Sequence, residues 1–197
     1  MSRLRIAIQS KGRLQENSIS FLKSQGLKFE INGRSLVTPC IDQEIDVLLL
    51  RNSDIPEYVH AGVAEFGIVG ENVLQEKNTH VRILKKLGFG ICRLVIAVPE
   101  DSPIQSVEDL EGERIATSYP KFLTKFLQEK GIHAAIIPIS GSVEVTPELN
   151  LADAICDLVQ TGSTLKAHGL KELVTILESE AVLIQSLHHT SESSFFS

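Results

Sequence analysis

The residues best suited to chemistry lie in Leu151–Gly169, LADAICDLVQTGSTLKAHG. An apolar run, Ala154–Val159, leads into Gln160-Thr161-Gly162-Ser163-Thr164, and a helical pattern follows. Such a junction suits an anion. The first backbone N–H groups of a helix have no partner within it, and its dipole favours negative charge at that end. Gly162 permits close backbone approach, and the hydroxyls of Thr161, Ser163 and Thr164 add donors, with Leu165 next in line. Asp153 and Asp157 stand four residues apart. On one continuous strand that spacing puts both carboxylates on the same face. Phosphate donors beside carboxylates suit a sugar phosphate, with the loop taking the phosphate and a carboxylate accepting from ribose hydroxyls. An ordinary helix cap uses the same residue types; the acidic neighbours favour the phosphoribosyl site.

Cations stand at the ends of other apolar runs. Lys11 and Arg13 follow the first run, Arg51 follows Ile45–Leu50, and Arg34 lies in a short turn-rich segment. Ligands of open α/β sheets bind at the carboxyl ends of strands, so these cations are well placed for an anionic substrate. Taken singly, each also reads as a solvated surface charge. Arg93 interrupts the run Ile91–Ile96, where a charge needs water or a paired anion. It reads either as an edge-strand arginine or as a phosphate partner.

The elements that must position these residues are short and alternate along the chain. Strands are predicted at Leu4–Ile8, Ile45–Leu50, Phe66–Val69, Val81–Leu87, Cys92–Val98, Arg114–Thr117, Ala134–Ile139, Ala154–Val159, Leu173–Leu177 and Ala181–Gln185. Helical segments are predicted near Glu16–Gln25, Asp54–Ala61, Ser106–Leu110, Pro120–Lys130 and Ser163–Gly169. This order predicts an α/β protein with largely parallel sheets. Asp54 and Glu57 have capping-box spacing, and Gly26 and Gly131 are placed to stop their helices. A lobe boundary is expected near Gly88–Cys92, after a strand whose Arg82, Lys85 and Lys86 mark an edge or a solvated face. The tail His188–Ser197, HHTSESSFFS, reads as solvated.

The chain has 197 residues, 19 Lys+Arg against 25 Asp+Glu, and a formal net charge of −6. That balance argues against general nucleic-acid binding, which needs a basic face. No apolar run approaches the ~18 residues of a membrane span, and MSRLRIAIQSKGRL has no signal-peptide core. Cys40, Cys92 and Cys156 are far apart and fit neither a zinc site nor a disulfide framework. Cys92 and Cys156 sit inside apolar runs and read as buried reduced thiols, and a cytoplasmic setting is the expectation. His60, His80, His133 and His168 are scattered and read as structural or exposed.

Longer matching segments then carry a resemblance. They are KGRL at Lys11–Leu14, RNSDIPEYVHAGVAEFGIVGENVL at Arg51–Leu74 and FGICRL at Phe89–Leu94. RIATSYP at Arg114–Pro120, GSVEVTPELNLADAICDLVQTGSTLKAHGL at Gly141–Leu170 and EAVLIQ at Glu180–Gln185 continue the series. Together they resemble the catalytic region of ATP phosphoribosyltransferases, the first enzymes of histidine biosynthesis, from Leu4 to about Gln185. The block combining GSVE, a proline and ADxIxDLVxTGxTL is the most specific of these.

The resemblance implies an α/β fold of two lobes similar to type II periplasmic binding proteins, with the active site in the cleft. It implies lobe I at residues 1–90, lobe II with the phosphate loop at 91–172, a return of 173–187 to lobe I, and a tail at 188–197. It implies attack of adenine N1 of ATP on C1 of phosphoribosyl pyrophosphate (PRPP), with Mg²⁺ and release of pyrophosphate. The loop Thr161–Leu165 would hold the 5-phosphate, with Asp157 and Asp153 on the ribose hydroxyls. Lys11, Arg13 and Arg34 would take pyrophosphate and ATP phosphates, while Arg51, Glu71, Arg93 and Tyr119 line the nucleotide. Glu144 would accept from a substrate hydroxyl or the adenine amino group; read from the residues alone it is equally a loop carboxylate capping the next turn. Arg13, Arg34 and Asp157 are the residues expected to matter most for catalysis. Adenine N1 carries a lone pair, so no general base is needed in the first step.

The family has a long form with a C-terminal regulatory domain. Its short form works with a regulatory subunit resembling histidyl-tRNA synthetase. Homo-oligomers, dimers or larger, are implied for either. The rival reading is a non-catalytic two-lobed module that binds small molecules. It would need an export signal or a helix-turn-helix, and the sequence shows neither. A phosphoribosyltransferase acting on a free base would carry adjacent acidic residues before its loop, whereas Leu158 follows Asp157 here.

Overall fold

The computed structural model describes residues 3–31, 35–189 and 196. The chain divides into two compact units, one of residues 1–90 and 180–197, the other of residues 91–179. Each is built on its own sheet.

The first unit holds a six-stranded sheet in the order β2-β3-β1-β4-β11-β5. Its strands are β1 (Leu4–Gln9), β2 (Val37–Pro39), β3 (Ile45–Leu50), β4 (Phe66–Gly70), β5 (Arg82–Lys86) and β11 (Ala181–Gln185). Strand side chains alternate between faces, and both faces of this sheet are apolar. Ile6, Ile8, Val47, Leu49, Ile68 and Leu183 pack with Leu22 of α1 (Arg13–Ser24). Ala7, Leu48, Val69, Val182 and Ile184 pack with Ile55 and Val59 of α2 (Ile55–His60) and Val73 and Leu74 of α3 (Glu71–Lys77). A Cβ on Gly67 would lie 2.8 Å from Ile55 Cγ2 and 2.9 Å from Val59 Cγ2, so glycine is what lets α2 sit this close to β4.

The second unit holds a five-stranded sheet in the order β10-β6-β9-β7-β8. Its strands are β6 (Cys92–Pro99), β7 (Arg114–Thr117), β8 (Ala135–Pro138), β9 (Ala154–Val159) and β10 (Leu170–Ser179). One face, with Leu94, Ile96, Ile115 and Cys156, is covered by Leu123 and Leu127 of α4 (Pro120–Lys130). The other face, with Val95, Ala97, Ala116, Ile155 and Val159, receives Val143, Leu165 and Leu170. Leu165 belongs to the short helix α5 (Ser163–Ala167).

Several expectations need correction. The sheets are mixed: β1 runs parallel to β3 and β4, and β7 to β8 and β9. The other pairings are antiparallel. Parallel neighbours require a crossover, and only the helical connections within each unit supply one. Leu173–Leu177 does not return with β11. It lies inside β10 and pairs with β6, its apolar side chains completing the core beside Leu94 and Ile96. Arg93 is not on an edge, because β6 lies between β10 and β9. Asp54 makes no capping hydrogen bond to α2; its Oδ1 instead accepts from the Ser53 hydroxyl at 3.0 Å.

The tail also differs from a solvated segment at two described positions. The Phe196 ring is buried, 6.2 Å from the Phe21 ring and 5.1 Å from that of Phe66, and its carbonyl accepts from Lys85 Nζ. His189 sets its ring edge-on to Phe66. The strand with Arg82, Lys85 and Lys86 is an edge strand, as expected. Cys40, Cys92 and Cys156 are buried free thiols, and burial pushes the first two above the usual thiol range.

Candidate active site

In the second unit, β7, β8 and β9 point the same way, so the segments that follow them share one edge of the sheet. This is the edge at which open α/β sheets bind ligands. Tyr119 follows β7 and starts α4, its N–H donating to Thr117 Oγ1 at 2.9 Å. Glu144 follows β8 within the 3-10 turn Val143–Val145, beyond Ser142, whose φ is +45°. The loop Gln160–Gly162 follows β9 and passes into α5.

Asp157 sits on β9, opposite Val95 and on the face lined by Ile155, Val159 and Leu165. Its Oδ1 accepts the Leu158 N–H at 2.8 Å. Burial pushes its carboxyl above the ordinary range; the Leu158 N–H opposes this, and nearby Glu144 adds to it. A ligand hydroxyl donating to Asp157 would restore part of the solvation it has lost.

The loop is shaped by Gly162, whose φ of +76° is left-handed and costs glycine nothing. The hydroxyls of Thr161 and Ser163 lie 3.0 Å apart and exposed, as is Thr164. Leu165, 4% exposed, anchors the segment to the core. The N–H groups of Ser163 and Thr164 open the helix and find no partner within it.

Arg93 joins the same edge, opposite Val159. Its guanidinium donates to both oxygens of Glu172, at 2.7 and 2.9 Å, and to Thr175 Oγ1 at 3.2 Å. Glu172 and Thr175, the partners of this guanidinium, carry no mark in the sequence. β-Bulges between Glu172 and Val174 and between Thr175 and Leu177 shift their parity, so alternation does not reveal which face they join.

Asp153 departs from the expected pair. It precedes β9, while the loop follows it, so a six-residue strand separates the two. Both its oxygens are held by Arg114, with Nε to Oδ2 at 2.9 Å and Nη2 to Oδ1 at 2.7 Å. That guanidinium pulls the Asp153 carboxyl down to about 2.

In the first unit, β3, β1 and β4 are neighbours running in parallel. Lys11 and Arg13 after β1, Arg51 after β3 and Glu71 after β4 therefore share one edge. Lys11, Arg13 and Arg51 are exposed, and Gln9 Nε2 donates to the Lys11 carbonyl at 2.6 Å. Glu71 is engaged: Lys86 Nζ lies 3.0 Å from its Oε2, and its N–H donates to the Glu180 carbonyl at 2.9 Å. The sequence marks Lys86 only as part of an edge or solvated strand and gives Glu180 no role, because their partners are distant along the chain. Arg34 lies outside the described residues.

Two sheets of mixed pairing, in units between which the chain passes twice, make this a two-lobed α/β protein of the kind seen in solute-binding proteins and some transferases. The solved alkanesulfonate-binding protein SsuA from Xanthomonas axonopodis pv. citri superposes with a TM-score of 0.61 over 95% of this chain and 66% of its own, at 17% identity. That likeness is one of fold alone. The ATP phosphoribosyl transferase (HisG:HisZ) complex from Thermotoga maritima is nearer, with a TM-score of 0.78 and 34% identity over 93% of this chain and 87% of that one. A family model described as HisG, ATP phosphoribosyltransferase, matches residues 51–194, and the chain belongs to that family. The ATP phosphoribosyltransferase of Maricaulis maris (strain MCS10) is 46% identical over 190 residues, covering 93% of this chain. The chain spans 65% of that relative's length.

Proposed function

We propose that the chain transfers the phosphoribosyl group of PRPP to N1 of ATP, releasing pyrophosphate, as the first step of histidine biosynthesis. The observation that carries this reading is the juxtaposition of a desolvated carboxylate, Asp157, with the hydroxyl-rich loop Thr161–Leu165 at one sheet edge.

Displacement at an anomeric carbon develops positive charge on the ribose while pyrophosphate gathers negative charge. Positioning and electrostatics then do most of the catalytic work. Asp157 accepts from ribose hydroxyls and stabilises the developing cation. Thr161, Ser163 and Thr164 hold the 5-phosphate through hydroxyl and backbone N–H donors, with Gly162 allowing the approach. Lys11 and Arg13 take the pyrophosphate and the ATP phosphates, with Arg34 assigned alongside them from the sequence. Arg51 and Tyr119 line the nucleotide, and Glu144 accepts from a substrate hydroxyl or the adenine amino group.

Among the described residues no group of three or more His, Cys, Asp or Glu could hold a metal by itself. Mg²⁺ is usually held by one or two carboxylates together with substrate phosphates. Asp157 and Glu144, near enough that the Glu144 charge raises the Asp157 carboxyl, would hold the ion in that way, and there it would supply neutralisation of the pyrophosphate charge. We extend the reading to assembly: homo-oligomers, and a regulatory subunit of the kind named in the Thermotoga complex.

The test is product formation from ATP and PRPP with Mg²⁺, followed by ultraviolet absorbance with pyrophosphatase present. Turnover by the wild type, lost in an Asp157→Ala, Thr161→Ala double variant, supports the reading. PRPP binding without turnover points to a missing regulatory partner, and absence of PRPP binding overturns it.

A further inference from the structure

Arg93, Asp157 and Glu172 lie on one face of the second sheet: Arg93 and Val95 alternate along β6, Asp157 pairs with Val95, and Glu172 pairs with Ala97. Glu172 Oε1 lies 3.7 Å from the point a Cβ on Gly162 would occupy, so its carboxylate borders the loop. An uncompensated carboxylate there repels any phosphate the loop receives. The Arg93 guanidinium meets both Glu172 oxygens in a fork at 2.7 and 2.9 Å, a geometry that lysine cannot reproduce. Thr175 Oγ1 takes a further N–H from the same guanidinium at 3.2 Å, fixing its orientation.

We propose that Arg93 is a positioning residue for the loop: it neutralises Glu172 and so keeps the loop receptive to phosphate, without itself contacting the ligand. The proposal rests on the phosphoribosyl reading given above. It gives two β10 residues that the sequence leaves unmarked a part in setting the charge beside the loop, without placing them on the ligand, and it explains why an arginine stands within an interior, apolar strand.

The experiment is calorimetric titration of the full chain with PRPP and Mg²⁺, comparing wild type, Arg93→Ala, Glu172→Ala and the double variant. Arg93→Ala is expected to bind about tenfold more weakly, a loss that shrinks as salt is raised. Glu172→Ala is expected to bind as tightly as wild type or more tightly. The double variant is expected to recover to within about threefold of wild type, since removing the carboxylate removes the need for its counter-charge. A double variant as weak as Arg93→Ala means that Arg93 holds the ligand directly, and overturns the proposal while leaving the phosphoribosyl reading intact. A wild type that does not bind PRPP overturns both. If the alanine variants do not fold, Arg93→Gln with and without Glu172→Gln gives the same comparison, and lack of rescue is again decisive.

Discussion

Asp153 holds Arg114 by both carboxylate oxygens, at 2.7 and 2.9 Å, and also accepts the Arg114 backbone N–H at 2.9 Å. The pair ties the start of β9 to the start of β7, at the end of the sheet away from the loop. Its carboxyl, held down to about 2, is ionised in the folded chain at pH values where an unfolded chain would bind a proton. The stability this contributes is complete above the ordinary aspartate value of about 3.9 and is lost as pH falls through about 2. Asp153→Asn is therefore expected to cost about 1–2 kcal/mol at pH 7, discounted for partial exposure. Urea unfolding at pH 7 and pH 2 checks this: the difference from wild type should shrink in acid. PRPP affinity should not change.

Asp157 has the opposite sign. Burial raises its carboxyl, so the folded chain holds that proton more tightly than the unfolded one. Stability falls as pH rises from the ordinary value through the raised one, and the penalty is full above it. Asp157→Asn keeps an oxygen for the Leu158 N–H and removes the buried charge. It should raise the urea midpoint at pH 7, leave it unchanged near pH 3, and abolish turnover. A midpoint that drops at pH 7 would contradict the desolvation account.

Gly162→Ala places a Cβ at a φ of +76°. The added methyl would meet Glu172 Oε1 at 3.7 Å, an ordinary contact, so the cost comes from the backbone. About 1 kcal/mol of stability should be lost. Relaxing that strain would redirect the loop N–H groups, so the KM for PRPP should rise more than kcat falls. Steady-state kinetics separate the two.

Phe196→Ala removes a ring packed between Phe21 and Phe66. Burial of one aromatic side chain predicts a loss of about 2–3 kcal/mol. Denaturant titration measures it. An unchanged midpoint would mean that the contact adds nothing to the fold.

Much of the fold was legible because both sheets are buried on both faces. Apolar runs such as Ile45–Leu50, Arg114–Thr117, Ala154–Val159 and Ala181–Gln185 stand out without any need for alternation, and their bounds agree with β3, β7, β9 and β11. The helix α3 was not seen, since in seven residues Val73 and Leu74 are too few to show a period. The three-residue β2 was missed for a similar reason of length. Strand direction was misjudged because local pattern does not say which strand a run will pair with. The loop and Asp157 could be read from chemistry concentrated in a few consecutive residues. Glu172, Thr175 and the Arg114 grip on Asp153 could not, because each depends on contacts between residues far apart in the chain.

The position of β11 between β4 and β5 bears on how the protein forms as it leaves the ribosome. The second unit is complete once Ser179 has emerged, whereas the first, begun earlier, lacks an interior strand until Ala181–Gln185 arrives. The oldest part of the nascent polypeptide is thus the last to close. Until then β4 and β5 present bare edges to other chains, and unpaired edges of this kind invite association. Slow or stalled translation across residues 91–179 prolongs that exposure, so synthesis rate and chaperone supply should govern the soluble yield.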